Sequence, residues 1–305
     1  MTVLLDWSPF TKTQRDFSFS EEIEKARLND LAAQMRLNVM RTMIRADYGH
    51  PASCLGLCDL FTALYFGGVM KYSISRPAWD KRDRLVVSCG HISALLYTAL
   101  SMAGYLSGKD LDNYARAGGP GGHPQRCVEK GIENSSGSLG QGVGIAIGMA
   151  LALQKTGQKV FLISSDGEQQ EGQVWEAYHA AIKYNLTNLI VFVDENGIQN
   201  SGTTFDVMPS GNLKKKFNAF DFNVISLENA CAFNIVRTLK TLQSPSKPSV
   251  IVLKTTAGKG VSFMENNPFW HDGVPRGKLK EQALKELNEQ KRQTGLWLNF
   301  LNKME

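Results

Sequence analysis

Two apolar runs in this sequence end in residues suited to a hard metal ion. Val160 to Ile163 leads into Ser164, Ser165, Asp166 and Gly167, and Leu189 to Val193 leads into Asp194, Glu195, Asn196 and Gly197. Adjacent parallel strands bring such ends to one carboxyl edge, where open α/β sheets bind ligands. The carboxylate of Asp166 and the amide oxygen of Asn196 can then converge on a cation such as Mg2+ or Ca2+. Both ions take oxygen ligands, and Mg2+ commonly shares its shell with a phosphate. Gly167 lets a diphosphate come close to backbone N–H groups. An Asp-Gly pair after a strand is in itself an ordinary turn, so the weight lies on the pairing of the two strand ends. Four of the five histidines, His50, His91, His123 and His271, fall in loops. Together they suggest one shared site, whereas His179 sits inside a helical pattern and reads as structural.

The elements that must position these residues alternate between short β-rich runs and helical patterns, which predicts an α/β fold: a mostly parallel sheet with helices on both faces. The strands are expected at Arg84 to Ser88, Lys159 to Ser164, Asn188 to Asp194, Phe222 to Ser226 and Ser249 to Lys254. Continuous apolar stretches in three of them suit strands covered on both faces. A long opening helix is expected from Ser20, as cap, to Arg45, with Glu21 and Glu22 at the positive end of its dipole. A turn at Gly49, His50 and Pro51 ends it, and a second helix follows from Leu55 to Phe66. Further helices are expected near Ile92 to Met102, Gly140 to Gln154, Val174 to Tyr184 and Ala230 to Leu242. The charged segment Lys278 to Glu305 carries apolar residues spaced for packing. The division is therefore 1–277 for the ligand-binding domain and 278–305 for a helical tail lying on that domain or on a partner.

The interval from Asp166 to Asn196 resembles the fingerprint of thiamine-diphosphate enzymes, Gly-Asp-Gly followed about thirty residues later by Asn, with Ser165 in place of the first Gly. Five further segments sharpen the resemblance to the transketolase family over nearly the whole chain. They are YGHPASCLG at Tyr48 to Gly56, RDRLVVSCGHISALLY at Arg82 to Tyr97 with GGHPQ at Gly121 to Gln125, SSGSLGQGVGIAIGMALA at Ser135 to Ala152, and KTTAGKGVSFMENNPFWHDGVP at Lys254 to Pro275. The resemblance implies a thiamine-diphosphate-binding fold and a two-carbon ketol transfer between sugars. It implies a divalent cation (Mg2+, or Ca2+ or Mn2+) held by Asp166, Asn196 and the backbone carbonyl of Ile198. It puts His50, His123 and His271 at the substrate, with His91 and His271 at the diphosphate. Gly137, Ser138 and Leu139 lie by the cofactor rings, with Gly167, Glu171 and Asn196 completing the cofactor set. A register fixed on Gly273 would put Asp272 in the place of His271. Glu171 reads either as part of a carboxylate network between subunits or as an exposed carboxylate favoured by a helix start.

Transketolases also need a glutamate against the pyrimidine ring, on a pyrimidine-binding domain that follows the part matched here. Glu305 ends the chain without it, which leads to the expectation of a split enzyme: this N-terminal subunit with a separately encoded C-terminal subunit, two copies of each. The sugar would be phosphorylated or otherwise anionic, possibly a sulfosugar. A cofactor-binding subunit of a 2-oxo-acid dehydrogenase and a non-catalytic scaffold are the alternatives. The 305 residues, 43% hydrophobic and 21% charged, suit a soluble globular protein. A net charge of +5 is dispersed apart from Lys214, Lys215 and Lys216, which argues against a nucleic-acid partner. No run approaches the ~20 apolar residues of a membrane span, and no signal-peptide pattern opens the chain. Five cysteines without paired spacing point to a reducing, cytoplasmic setting.

Overall fold

The computed structural model describes residues 12–242 and 245–303, with side chains described from residue 19 onward. Its strands are β1 (Arg84–Val87), β2 (Val160–Ser165), β3 (Leu189–Glu195), β4 (Ile198–Gln199), β5 (Gly202–Thr203), β6 (Asn223–Leu227) and β7 (Ser249–Lys254). Its α-helices are α1 (Lys12–Ala46), α2 (Pro51–Gly56), α3 (Cys58–Phe66), α4 (Ser93–Ala103), α5 (Gly108–Asp112), α6 (Gln141–Leu153), α7 (Gly172–Lys183), α8 (Thr204–Val207), α9 (Leu213–Ala219), α10 (Ala232–Thr241) and α11 (Gly277–Asn302).

All five expected strands form one sheet in the order β1-β2-β3-β7-β6, and every pairing in it is parallel. Alternate strand residues divide between two cores, as the two-residue period of a pleated strand requires. Leu85, Val87, Phe161, Ile163, Phe192 and Leu253 pack with α1, α3, α4 and α10. Val86, Val160, Leu162, Val191, Val193 and Val252 pack with α6, α7 and α9. The sheet is therefore covered on both faces, and its carboxyl ends are left for chemistry. The short antiparallel pair of β4 and β5 lies outside this sheet and has no signal in the apolar pattern.

Two helix boundaries differ from expectation. α1 begins at Lys12, so Ser20 lies inside it instead of capping it. No Gly or Pro stands between Lys12 and Ser20, and nothing in the chain forces a stop there. The expected second helix is two, broken at Leu57, and it starts earlier because Pro51 at the first helical position presets the backbone. Gly56 at the break lies against the carbonyl oxygen of Thr256, which a Cβ would approach to 3.0 Å. The tail helix α11 lies along α1, burying Ala283, Leu287 and Leu301. Lys291 and Thr294 both reach Asp30 of α1, at 2.5 and 3.0 Å. The three lysines of α9 are exposed, with Leu213 and Phe217 turned into the core.

Helix α6 crosses β1 so closely that a Cβ on Gly142 would sit 2.5 Å from the Cα of Ser88, while one on Gly144 would meet nothing within 4 Å. Gly142→Ala is therefore expected to lower stability by about 1–3 kcal/mol through overpacking. Gly144→Ala is expected to raise it by about 0.5–1 kcal/mol through helix propensity. Thermal unfolding of the two variants beside the parent chain checks the opposite signs.

Candidate functional site

The register of the central strands sets one end of the site. Ser165 pairs with Asp194, so Asp166 and Asn196 leave neighbouring strands at the carboxyl edge. Asp166 accepts hydrogen bonds from the backbone N–H of Gly167 at 2.8 Å and of Gly197 at 2.7 Å. Gly197 adopts φ +75°, which turns its N–H back toward that carboxylate. The Asn196 side chain accepts from the N–H of Ile198 at 2.9 Å and donates to Asp194 at 2.7 Å and to Ser53 Oγ at 3.4 Å. Asp194 also accepts from the hydroxyl of Thr255.

Asp166 and Asp194 are both buried. Burial and the nearby charge of Asp194 push the Asp166 carboxyl up to about 7, and burial pushes Asp194 up to about 6. The nearby ammonium of Lys254 is already paired with Glu195 at 2.5 Å. Two buried carboxylates so placed suit a bound cation, which would relieve the repulsion. Among the described residues no three His, Cys, Asp or Glu side chains form a metal cage. A cation here would draw on the mixed oxygens of Asp166, Asn196 and the Ile198 main chain, a donor set that fits a hard divalent ion. A cavity of about 460 Å³ adjoins Asp166 and Asn196 and is lined also by Glu195, Phe205, Ser210 and Lys254.

The other end is built from imidazoles. His50 caps α2, His91 lies in the tight turn after β1, and His271 follows a turn at Pro268–Trp270. Their ring centroids are 5.4 Å (His50 to His91), 5.8 Å (His50 to His271) and 5.7 Å (His91 to His271) apart, a nearly equilateral triangle. The N–H of Gly273 donates to the carbonyl of Gly49 at 3.0 Å and ties two of the three loops together. Burial, then the neighbouring imidazoles, lowers His50 to about 4 and His91 to about 3, and burial lowers His271. All three rings are therefore neutral at pH 7, each with one donor and one acceptor nitrogen. Among the described residues the buried Nδ1 atoms of His50 and His271 have no hydrogen-bond partner, as expected of groups that meet a polar ligand.

His123 is exposed at the rim, where its ring lies 3.6 Å from the Cβ position of Gly137. Gly137 and Ser138 are exposed and Leu139 is half-buried. Gly90, just before His91, is packed so tightly on this segment that its Cβ would come within 2.9 Å of the Gly137 nitrogen. His271 is the member of the triangle, whereas Asp272 is exposed beside it. Glu171 is exposed at the start of α7 with no side-chain cap, and among the described residues no hydrogen bond joins it to the rest of the site. Phe205 and Phe269 are 80% and 78% exposed, and the turn bearing Phe269 lies against β5, two residues before Phe205. His179, on α7, stacks near Phe220 at 4.6 Å, away from the triangle.

Helix α2 joins the two ends, with His50 at its start and Ser53 against Asn196. Ala52 packs with Ile198 and Ala257, and its carbonyl accepts from Gly258 N–H at 2.9 Å. Asp194, Ser53 and Thr255 are parts of the site that sequence reasoning misses. A carboxylate closing an otherwise apolar strand is the available signal for Asp194.

A parallel sheet with an acidic, oxygen-rich pocket and a neutral imidazole cluster at its carboxyl edge defines an α/β domain with a ligand site at its strand ends. The chain belongs to the transketolase family: the family described as transketolase, thiamine diphosphate binding domain, matches residues 28–295. It is 36% identical over 258 residues to a subunit of the apulose-4-phosphate transketolase of Phocaeicola vulgatus, covering 83% of this chain and 91% of that protein. It is 36% identical over 268 residues to the 6-deoxy-6-sulfo-D-fructose transketolase subunit SqwG of Clostridium sp. strain MSTE9, covering 84% and 96%. The crystal structure of transketolase from Campylobacter jejuni superposes with a TM-score of 0.78 at 31% identity, over 87% of this chain and 43% of that one.

The depressed histidines make a pH prediction. A folded pKa below the unfolded value means that the unfolded chain binds more protons between the two, so stability falls as pH drops through that window. The raised carboxyls of Asp166 and Asp194 act in the opposite sense over the same range, so the imidazole contribution is read as a difference: the stability of the cofactor-free parent relative to His91→Gln should fall as pH drops from about 6.5 to about 4. Urea midpoints of both proteins across this range check it.

Proposed function

We propose that this chain is the cofactor-binding subunit of a thiamine-diphosphate-dependent transketolase, transferring a two-carbon ketol unit between anionic sugars with a separately encoded pyrimidine-binding subunit. The observation that carries the reading is the placement of the Asp166–Asn196 pair and the neutral histidine triangle on one sheet edge, joined by α2. The names of the Phocaeicola and Clostridium relatives, each that of one subunit within a transketolase and each matched over most of its length, support a partner chain. They also support a phosphorylated or sulfonated ketose as substrate. An assembly of two copies of each chain and a cytoplasmic setting belong to the same proposal. The cysteines are free, and no described helix is long and apolar enough to cross a membrane.

In this reading residues 1–277 hold the cofactor and 278–305 brace the domain. Asp166, Asn196 and the Ile198 carbonyl would hold Mg2+ or a similar divalent ion, which would supply positive charge for the cofactor's diphosphate. His91 and His271 flank the diphosphate, Gly167 admits it to the strand end, and Gly137, Ser138 and Leu139 lie by the rings, with Glu171 near the boundary between subunits. Thiamine diphosphate, when bound, supplies the carbanion-stabilising chemistry of its thiazolium ring. His50, His123 and His271 orient the sugar hydroxyls and carbonyl, and the neutral nitrogens of His50 and His271 accept or return a proton there. The half-buried triangle shields the Nδ1 atoms of His50 and His271 from competing water. The histidine triangle distinguishes this reading from a scaffold and from part of a 2-oxo-acid dehydrogenase, neither of which calls for it.

Ketol transfer is measured with this chain alone and mixed with a pyrimidine-binding subunit, with thiamine diphosphate, Mg2+ and phosphorylated or sulfonated ketose donors. Activity in the mixture alone is the expected result, and turnover of 2-oxo acids instead would overturn the proposal. His50→Ala in the mixture should lower kcat by about 10²–10⁴-fold, as for a lost proton-transfer group. Asp166→Ala should weaken metal-dependent cofactor binding beyond the about 10–100-fold typical of an outer-sphere partner. Calorimetric titration of thiamine diphosphate with and without Mg2+ reads the latter.

A further inference from the structure

Glu168 is fully buried, yet the metal pocket and the histidine triangle do not use it. Its Oε1 accepts from Ser88 Oγ at 2.5 Å and from the backbone N–H of Gly140 at 2.6 Å, and its Oε2 accepts from Ser164 Oγ at 2.6 Å. Ser164 accepts in turn from the side-chain amide of Gln169 at 2.7 Å. The carboxylate therefore joins the end of β1, the end of β2 and the entry to α6. That entry is a favourable place for negative charge, because the first N–H groups of a helix lack intrahelical partners.

Gly140 needs the anchor. It adopts φ +82°, and it closes the exposed segment Ser135 to Leu139 that runs past Gly90 and His123. At the other end of this segment, the side chain of Asn134 accepts from the N–H of Val87 at 3.1 Å and donates to its carbonyl at 3.0 Å, as an added strand would. Between these two buried pins the segment has few bonds of its own. Arg126 N–H donates to Ser135 Oγ at 2.9 Å, Asn134 to the carbonyl of Ser135 at 3.2 Å, Ser136 N–H to the carbonyl of Pro124 at 3.1 Å, and Gln173 to the carbonyl of Leu139 at 3.0 Å.

We infer that Glu168 is a positioning residue: its buried carboxylate fixes Gly140 to the ends of β1 and β2 and so holds Ser135 to Leu139 in the shape that receives the cofactor. The inference rests on the proposed cofactor reading for its consequence but not for its geometry. In the absence of Glu168 the Gly140 amide loses its carboxylate acceptor, and the segment keeps its anchor at Asn134 and the bonds to Ser135, Ser136 and Leu139 but not its fixed end at α6. The loss is local, because Glu168 takes no part in the β3–β7–β6 half of the sheet.

Amide hydrogen exchange of the full chain and titration with thiamine diphosphate and Mg2+ test this in Glu168→Ala, Glu168→Gln and, in case the first does not fold, Ser88→Ala. The expected result is faster exchange across residues 135–141 in Glu168→Ala, unchanged exchange in β3 and β7, and cofactor affinity about 10–100-fold weaker, the range for a partner that orients a binding group. Glu168→Gln, which keeps an acceptor for Gly140, should recover most of both effects, and Ser88→Ala should show a smaller version of each. Unchanged exchange at 135–141 in Glu168→Ala, or equal loss of protection throughout the sheet, overturns the inference. Failure of the parent chain to bind thiamine diphosphate would count against the function proposed above, while the exchange pattern would still decide the role of Glu168.

Discussion

Two carboxylates on neighbouring strands set the terms for the rest of this site. Asp166 and Asp194 are placed side by side by the parallel register, in a region from which water is largely excluded. Each is surrounded by donors that keep it in place without neutralising it: the Gly167 and Gly197 amides, the Thr255 hydroxyl and the Asn196 amide. Such a pair persists because the sheet and its two covering layers are stable enough to hold it, and the outstanding charge makes the edge receptive to a cation. The backbone turns at Gly197 and Gly167 and the seating of α2 against Asn196 all follow from serving these two groups.

The histidine end works on the opposite principle. It gathers neutral groups whose charging is suppressed by burial and by one another, so the edge runs from a cation-seeking pole to an uncharged, hydrogen-bonding one. Close backbone approach sets the span between them. Gly90 lies on Ser136 and Gly137 and Gly142 on Ser88, each at a distance that excludes a side chain, and Gly56 lies on Thr256 with little room for one. These contacts join loops distant in sequence into one rigid rim.

The strands were legible in the sequence because they are buried on both faces and therefore read as unbroken Val, Ile, Leu and Phe. Asp166 and Asn196 were legible because they stand where such runs stop. The start of α1 was not, since Ser20 followed by two glutamates imitates a helix start in a stretch where no Gly or Pro stops the helix. The pair β4–β5 was not either, since two-residue strands carry no alternation. That the histidines lie in loops could be read directly, but their triangle depends on closing three loops from residues 49–50, 90–91 and 268–273, which no local pattern encodes. Glu168 looks like any acidic residue in a polar turn, and only the fold shows it enclosed by two serines and a helix entry.

Phe205 and Phe269, nearly bare on adjoining segments beside the site, bear on how the chain behaves in the hand. Large aromatic faces left in water attract one another, and a net charge of +5 spread over the surface offers only mild repulsion to keep two copies apart. Contact between two copies of the lone chain at these rings would cover the same edge that carries the chemistry. Light scattering and sedimentation are then as informative about this protein as any kinetic trace.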